Sequence, residues 1–333
     1  MVKLAIDLGS SVTKIYRADT NSGVVLSEPS FIALGENQEI KAIGAKAKEL
    51  LGRTAQYTKI ERPIQGGVIV DRALAVSMLQ DFLSRIGIAK SALKKALVVI
   101  SIPCGLDSEQ LEEYVALAEE CGLRKAYFVE QPYLAALGGN AALSETEPIF
   151  CLDIGGGVAN AAVISANGII AGLAINLGGT KVDQCIMKTL REEYKLIVGD
   201  LTAEKVKTDL GSLALSAHGN MLVAGSSAET FQPDSKMVEA LHLKPAIRKC
   251  IDQILSYAFG VVKYLPAEVA ASVAHNGAYL SGGLLKLEQA PQYIAGKLNM
   301  RYHIAEEPQF VTVLGGGTLL QDKELLERFA RKI

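Results

Sequence analysis

One pattern constrains this chain more than any other, because the chain carries it twice. Residues 3–16 read KLAIDLGSSVTKIY and residues 150–165 read FCLDIGGGVANAAVIS. In each, an apolar run ends at an aspartate (Asp7 or Asp153), breaks into small turn residues, and resumes as a second apolar run. Such runs around glycine read as two strands joined by a tight turn. Glycine has no Cβ, so successive backbone N–H groups there can converge on an anion that approaches the main chain closely. An aspartate at the strand end then faces a cation bound to that anion. Two such hairpins, one opening each half of the chain, predict a duplicated fold that grips a polyphosphate from both sides.

The 333 residues are 49% hydrophobic and 21% charged, enough apolar material for two large lobes. Lys and Arg total 34 against 36 for Asp and Glu, which leaves no basic excess for general nucleic-acid binding. No apolar run reaches the roughly 20 residues of a spanning helix. The first strand begins directly after Met1 with no signal-like segment, so the expected location is the cytoplasm. The five cysteines have no CxxC spacing and stand apart from the four histidines, which favours reduced thiols over zinc ligands.

Leu74, Met78, Leu79, Phe82, Leu83 and Ile86 recur at helical spacing and predict an amphipathic helix over 71–86. The apolar stretch 96–103 predicts a strand covered on both faces. Asp107 or Ser108 can cap a helix reaching Cys121. The next strand, over 126–129, ends at Glu130-Gln131-Pro132, where Pro132 biases Gln131 toward an extended backbone. Strand side chains alternate, so Glu130 and Gln131 should not both face one ligand. A short helix over 133–142 and the polar connection 144–148 lead into the second half. There the reading gives a strand over 168–175, a Gly178-Gly179 turn before a helix, and a helix from Thr202 carrying Glu204 and Lys207. Beyond these come a β insertion near 213–233, a long helix from Pro245 to about Tyr264, and a Gly315-Gly316-Gly317 turn before a last helix. The class is α/β: lobes over 1–148 and 149–333, with insertions at about 31–64 and 208–244, each lobe a mixed sheet with helices on its faces.

In this order the pieces resemble the actin and heat-shock-chaperone ATPase superfamily, and within it the MreB family of bacterial actins, over essentially the whole chain. The motifs that carry the resemblance are Asp7-Leu8-Gly9-Ser10 and Asp153-Ile154-Gly155-Gly156-Gly157 for two phosphate loops, and Arg62-Pro63-Ile64-Gln65-Gly66-Gly67 for a first connection. Leu196-Ile197-Val198-Gly199 leading to Thr202-Ala203-Glu204, Leu280-Ser281-Gly282-Gly283 for an adenosine loop, and Leu314-Gly315-Gly316-Gly317 for a second connection complete the set. The resemblance implies duplicated actin-like (ribonuclease-H-like) lobes around an ATP cleft, Mg²⁺ contacted through water by Asp7 and Asp153, and slow hydrolysis coupled to self-assembly into cell-shape filaments. It implies phosphate contacts from Gly9, Ser10, Ser11, Thr13, Lys14, Gly155, Gly156, Gly157, Gly178 and Gly179. Contacts on the adenosine side would come from Glu204, Lys207, Gly282, Gly283 and Leu284, and the C-terminal helix would return to the first lobe.

Catalysis by resemblance falls to Asp153 with Gln131 or Glu130. MreB proteins usually carry a glutamate before this proline, whereas here Gln131 can orient water but not abstract its proton. Lys14 stands where actin has a phosphate-contacting lysine. Val158 replaces a usual threonine and Asn160 a usual glutamate, which removes one hydroxyl contact. Membrane attachment would fall on the segment 86–95, where Ile86 and Ile88 beside Lys94 and Lys95 are only modestly apolar, so weak peripheral contact is expected. The alternatives are a filament that positions plasmids or organelles and a small-molecule phosphotransferase of the same superfamily. A chaperone reading lacks a substrate-binding domain after Gly317.

Overall fold

The computed structural model describes residues 1–20, 22–52 and 58–329, and the backbone of 331–332. The insertion expected over about 31–64 lies in part outside the described residues. Two sheets follow one plan. In the first, Lys3–Leu8, Val12–Arg17 and Gly23–Pro29 form an antiparallel meander. Leu97–Ile102 and then Ala126–Glu130 join in parallel on the other side of Lys3–Leu8, and Arg331–Lys332 closes that edge. In the second, Ile149–Ile154, Ala159–Ser165 and Gly168–Ile175 make the meander, and Ala278–Ser281 and Tyr302–Ile304 are the parallel additions. The duplication extends to register: Asp7 lies opposite Ser101, and Asp153 lies opposite Ser281, across the equivalent parallel pair.

Helices cover these apolar strands. Arg72–Arg85 starts at Asp71, whose carboxylate accepts from the Leu74 N–H at 2.9 Å, and Ser108–Glu120 starts at Asp107 in a capping box with Gln110. They bury Met78, Phe82, Tyr114 and Leu117 in the first core. Gly179–Glu193 and Ala240–Lys263 bury Val182, Ile186, Ile247 and Ile254 in the second. Each lobe also carries a small three-stranded sheet: Ile32–Leu34, Ile40–Ile43 and Lys59–Glu61 in one, Leu196–Ile197, Asn220–Ser227 and Pro233–Glu239 in the other. The C-terminal helix Lys323–Phe329 returns to the first sheet, packing Leu326 with Ala5, Val99 and Val129. Among the described residues no helix is long and apolar enough to cross a membrane. Ile86 and Ile88 are partly buried and pack against the first core.

The structure corrects three local expectations. Gly315, Gly316 and Gly317 are not a turn; they lie inside the helix Val311–Leu319, which crosses Gln131–Gly138. A Cβ on Gly315 would run into the Leu134 carbonyl, one on Gly316 would sit 2.7 Å from the Ala5 Cβ, and one on Gly317 would meet the Tyr16 ring. Backbone-to-backbone packing offsets the roughly 1 kcal/mol that each helical glycine costs. Gly315→Ala should therefore lower stability by about 1–3 kcal/mol in denaturant titrations, because the backbone it strikes cannot move aside. An unchanged midpoint would show that the two helices have room to spare.

The long helix begins at Ala240, not at Pro245. Pro245 lies inside that helix, past the first turn, and has no N–H to give the Leu241 carbonyl, but the helix continues through it, so Pro245 marks no boundary. The helix expected over 133–142 begins at Gln131 and ends at Gly138. The extended residue before it is Glu130 (φ −68°, ψ 135°), and Pro132 occupies the first turn, where its missing N–H has no intrahelical acceptor.

Candidate functional site

The two aspartate–glycine turns face each other across a cavity of about 330 Å³. Asp7, Gly9, Ser10, Ser11 and Lys14 line one wall, and Asp153, Gly155, Gly156 and Gly157 line the other. Gly179, Glu204, Lys207, Gly282, Gly283 and Leu284 line the rest of the second lobe's side. The turns touch: a Cβ on Gly157 would sit 2.6 Å from the Ser10 Cβ, and one on Gly156 would strike Ser11. Gly282 has φ +95° and lies against the Ile154 backbone, a conformation and a clearance that only glycine offers.

Asp7 and Asp153 are buried. Ser101 Oγ donates to Asp7 Oδ1 at 2.7 Å, and Ser281 Oγ donates to Asp153 Oδ1 at 2.9 Å, the same bond in each half. Lys14 Nζ donates to Asp7 Oδ2 at 2.7 Å. Burial pushes the Asp153 carboxyl up to about 6; the Ser281 hydrogen bond opposes the shift, Asp7 adds to it, and Lys14 opposes it. Two facing carboxylates, one of them reluctant to ionise without a positive neighbour, suit a hard divalent cation. Among the described residues no group of three or more His, Cys, Asp or Glu could form an all-protein metal cage. Mg²⁺ is one such cation: it keeps several waters and needs only one or two carboxylates beside substrate phosphates, which the two aspartates could supply.

Gln131 is buried at the cavity wall, with Nε2 3.4 Å from Asp7 Oδ1 and 3.5 Å from Ser101 Oγ. Its Oε1 accepts from Asn160 Nδ2 at 2.7 Å, and Asn160 Oδ1 accepts from the Cys104 N–H at 3.0 Å. Three expected residues stand elsewhere. The Glu130 carboxylate accepts from the Gly105 N–H at 2.8 Å and does not line the cavity, because Gln131 takes the helix-start position that points inward. Thr13 is buried with its Oγ1 2.9 Å from Ser30 Oγ, since strand alternation sends Lys14 to the cavity and Thr13 into the core. Gly178 backs onto Gly155 and Gly156, whose carbonyls a Cβ would meet at 2.6 and 2.8 Å; it is a spacer between loops. Lys207 holds Asp183 at 2.8 Å and donates to the Gly179 carbonyl at 3.2 Å.

The sequence reading missed Ser101 and Ser281 as carboxylate partners, Asn160 as the partner of Gln131, and Thr180, whose Oγ1 donates to the Gly156 carbonyl at 2.6 Å. A hydroxyl in an otherwise apolar buried strand was the available signal for both serines.

A duplicated meander-plus-parallel sheet with paired aspartate–glycine turns across a cleft defines an actin-like protein. The chain superimposes on MreB5 of Spiroplasma citri bound to AMPPNP with a TM-score of 0.90, at 25% identity over 98% of this chain and 97% of that one. The MamK double helical filament gives a TM-score of 0.79 at 17% identity, covering 96% and 99%. The MreB/Mbl protein family model matches residues 1–328, and the chain belongs to that family. The cell shape-determining protein Mbl of Bacillus subtilis (strain 168) is 29% identical over 327 residues, 98% of this chain and 97% of Mbl.

Proposed function

We propose that this chain is an ATP-binding, slowly hydrolysing cytoskeletal protein that assembles into filaments in the cytoplasm and serves cell-shape determination. The observation that carries the reading is the facing of Asp7 and Asp153, with their glycine turns, across one cleft. Backbone N–H groups of the turns and Lys14 would offset phosphate charge, and Asp7 and Asp153 would hold Mg²⁺ through water. The cation supplies neutralisation of the phosphates. Gly282, Gly283 and Leu284 line the cavity where the base would lie, and Glu204 and Lys207 would contact the sugar. Mbl's name as a cell shape-determining protein, the AMPPNP bound to MreB5 and the double helical filament of MamK support this reading.

Head-to-tail contacts that do not close generate such filaments. Contact with a membrane or with cell-envelope partners would be weak for one subunit and gained by avidity along a filament. The test is sedimentation with ATP, ADP or no nucleotide, read by electron microscopy. Filaments that pellet with Mg·ATP are expected. Monodisperse particles in every nucleotide state and at every concentration would overturn the proposal.

A further inference from the structure

An ion pair bridges the two walls of the cleft at its mouth. Lys48 lies in the short helix Ala45–Glu49 of the first lobe's small sheet and places Nζ 2.6 Å from Glu204 Oε2, in the helix Asp200–Leu210 of the second lobe. Both residues line the cavity. Among the described residues no other ion pair joins one wall of this cavity to the other.

The placement is built on both sides. Phe31 is buried beneath the mouth, with Lys48 Nζ 6.0 Å and the Arg62 guanidinium 4.5 Å from its ring centroid. Arg62 lies close enough to Asp183 for its charge to favour that carboxylate's ionised form. The first lobe thus presents two cations on one aromatic platform, and the second lobe presents two carboxylates, Glu204 and Asp183, opposite them.

We propose that Lys48 and Glu204 form a clasp that retains bound nucleotide, so that a nucleotide leaves only after the pair has opened. The inference rests on the nucleotide reading of the cleft. Lys48 Nζ meets Glu204 at Oε2, and a carboxylate has lone pairs on both oxygens, so one carboxylate can hold Lys48 and a sugar hydroxyl together. Each partner then orders the carboxylate for the other, and a bound sugar and a closed mouth reinforce each other. Lys48 acts through Glu204, as a positioning residue. Both side chains are partly exposed, at 26% and 39%, so the pair is weak and screened by salt. A weak clasp suits a protein whose nucleotide must exchange.

The experiment loads the full chain with a fluorescent ATP analogue and follows its release into excess unlabelled ATP at low and high salt. Lys48→Met should release nucleotide about two- to fivefold faster than wild type at low salt, the factor an exposed ion pair supplies. Lys48→Arg, which keeps the charge, should release at the wild-type rate. The gap between wild type and Lys48→Met should close at high salt, where screening opens the wild-type clasp. A wild-type rate in Lys48→Met, a fast rate in Lys48→Arg, or a gap that persists at high salt would overturn the clasp alone. Failure of the wild type to hold the analogue would overturn the nucleotide reading and the clasp with it.

Discussion

Asp153→Ala should weaken Mg·ATP binding at least about a hundredfold in isothermal titration, a loss of roughly 2.7 kcal/mol. The carboxylate is buried, faces Asp7 across the cleft, and has one oxygen already held by Ser281, so no neighbour can take over its charge. Its pH behaviour gives a second reading of the same role. Burial raises its pKa to about 6, whereas a cation-bound nucleotide needs it ionised. Mg·ATP affinity should therefore fall as pH drops from 7 toward 5, and Asp153→Asn should lose that pH dependence along with most of the affinity. For the nucleotide-free protein the sign reverses. A carboxyl whose folded pKa is raised contributes stability below its unfolded value near 3.8, and that contribution is lost as pH rises through about 6. Mg·nucleotide should then add stability mostly at neutral pH. Wild-type affinity in Asp153→Ala would remove this residue from the site.

Features encoded in neighbouring residues were readable from the chain alone. An aspartate that ends an apolar run before glycine is local, and so are the caps Asp71 and Asp107, each of which bonds a backbone N–H three residues on. Features that depend on what lies opposite were not. A glycine run has the same sequence whether it turns the chain or lets two backbones touch. For Gly315 the deciding neighbours are Leu134 and Gly138, far away in the chain. The alternation of Thr13 and Lys14 was readable, but its phase was not, because that is set by which face of the hairpin meets the second lobe. Lys48 and Glu204 are ordinary charged helix residues until two small subdomains bring them together. Ser101 and Ser281 stand 94 and 128 residues after their aspartates, so only the strand register of the folded sheets pairs them.

The last expectation concerns Gln131, which should act in hydrolysis and not in nucleotide binding. It opens the helix Gln131–Gly138, is buried at the cavity wall, and points its amide at the Asp7–Ser101 pair. Asn160 holds its oxygen at 2.7 Å and is itself fixed by the Cys104 backbone, so the amide is preorganised. A neutral amide can orient an attacking water but is a poor base at neutral pH, so turnover should be slow and its acceleration mainly positional. Gln131→Ala should slow phosphate release at least about tenfold, a loss of roughly 1.4 kcal/mol of transition-state stabilisation. ATP affinity and assembly should persist, because the phosphate loops and both aspartates are untouched. If the ATP-bound state favours assembly, filaments of the variant should also outlast those of wild type. Unchanged phosphate release from assembled Gln131→Ala filaments would sink the assignment. Glu130 could not inherit the role from where it stands, bonded to the Gly105 N–H outside the cavity. Asn160, the polar group directly behind the amide, would be the next candidate.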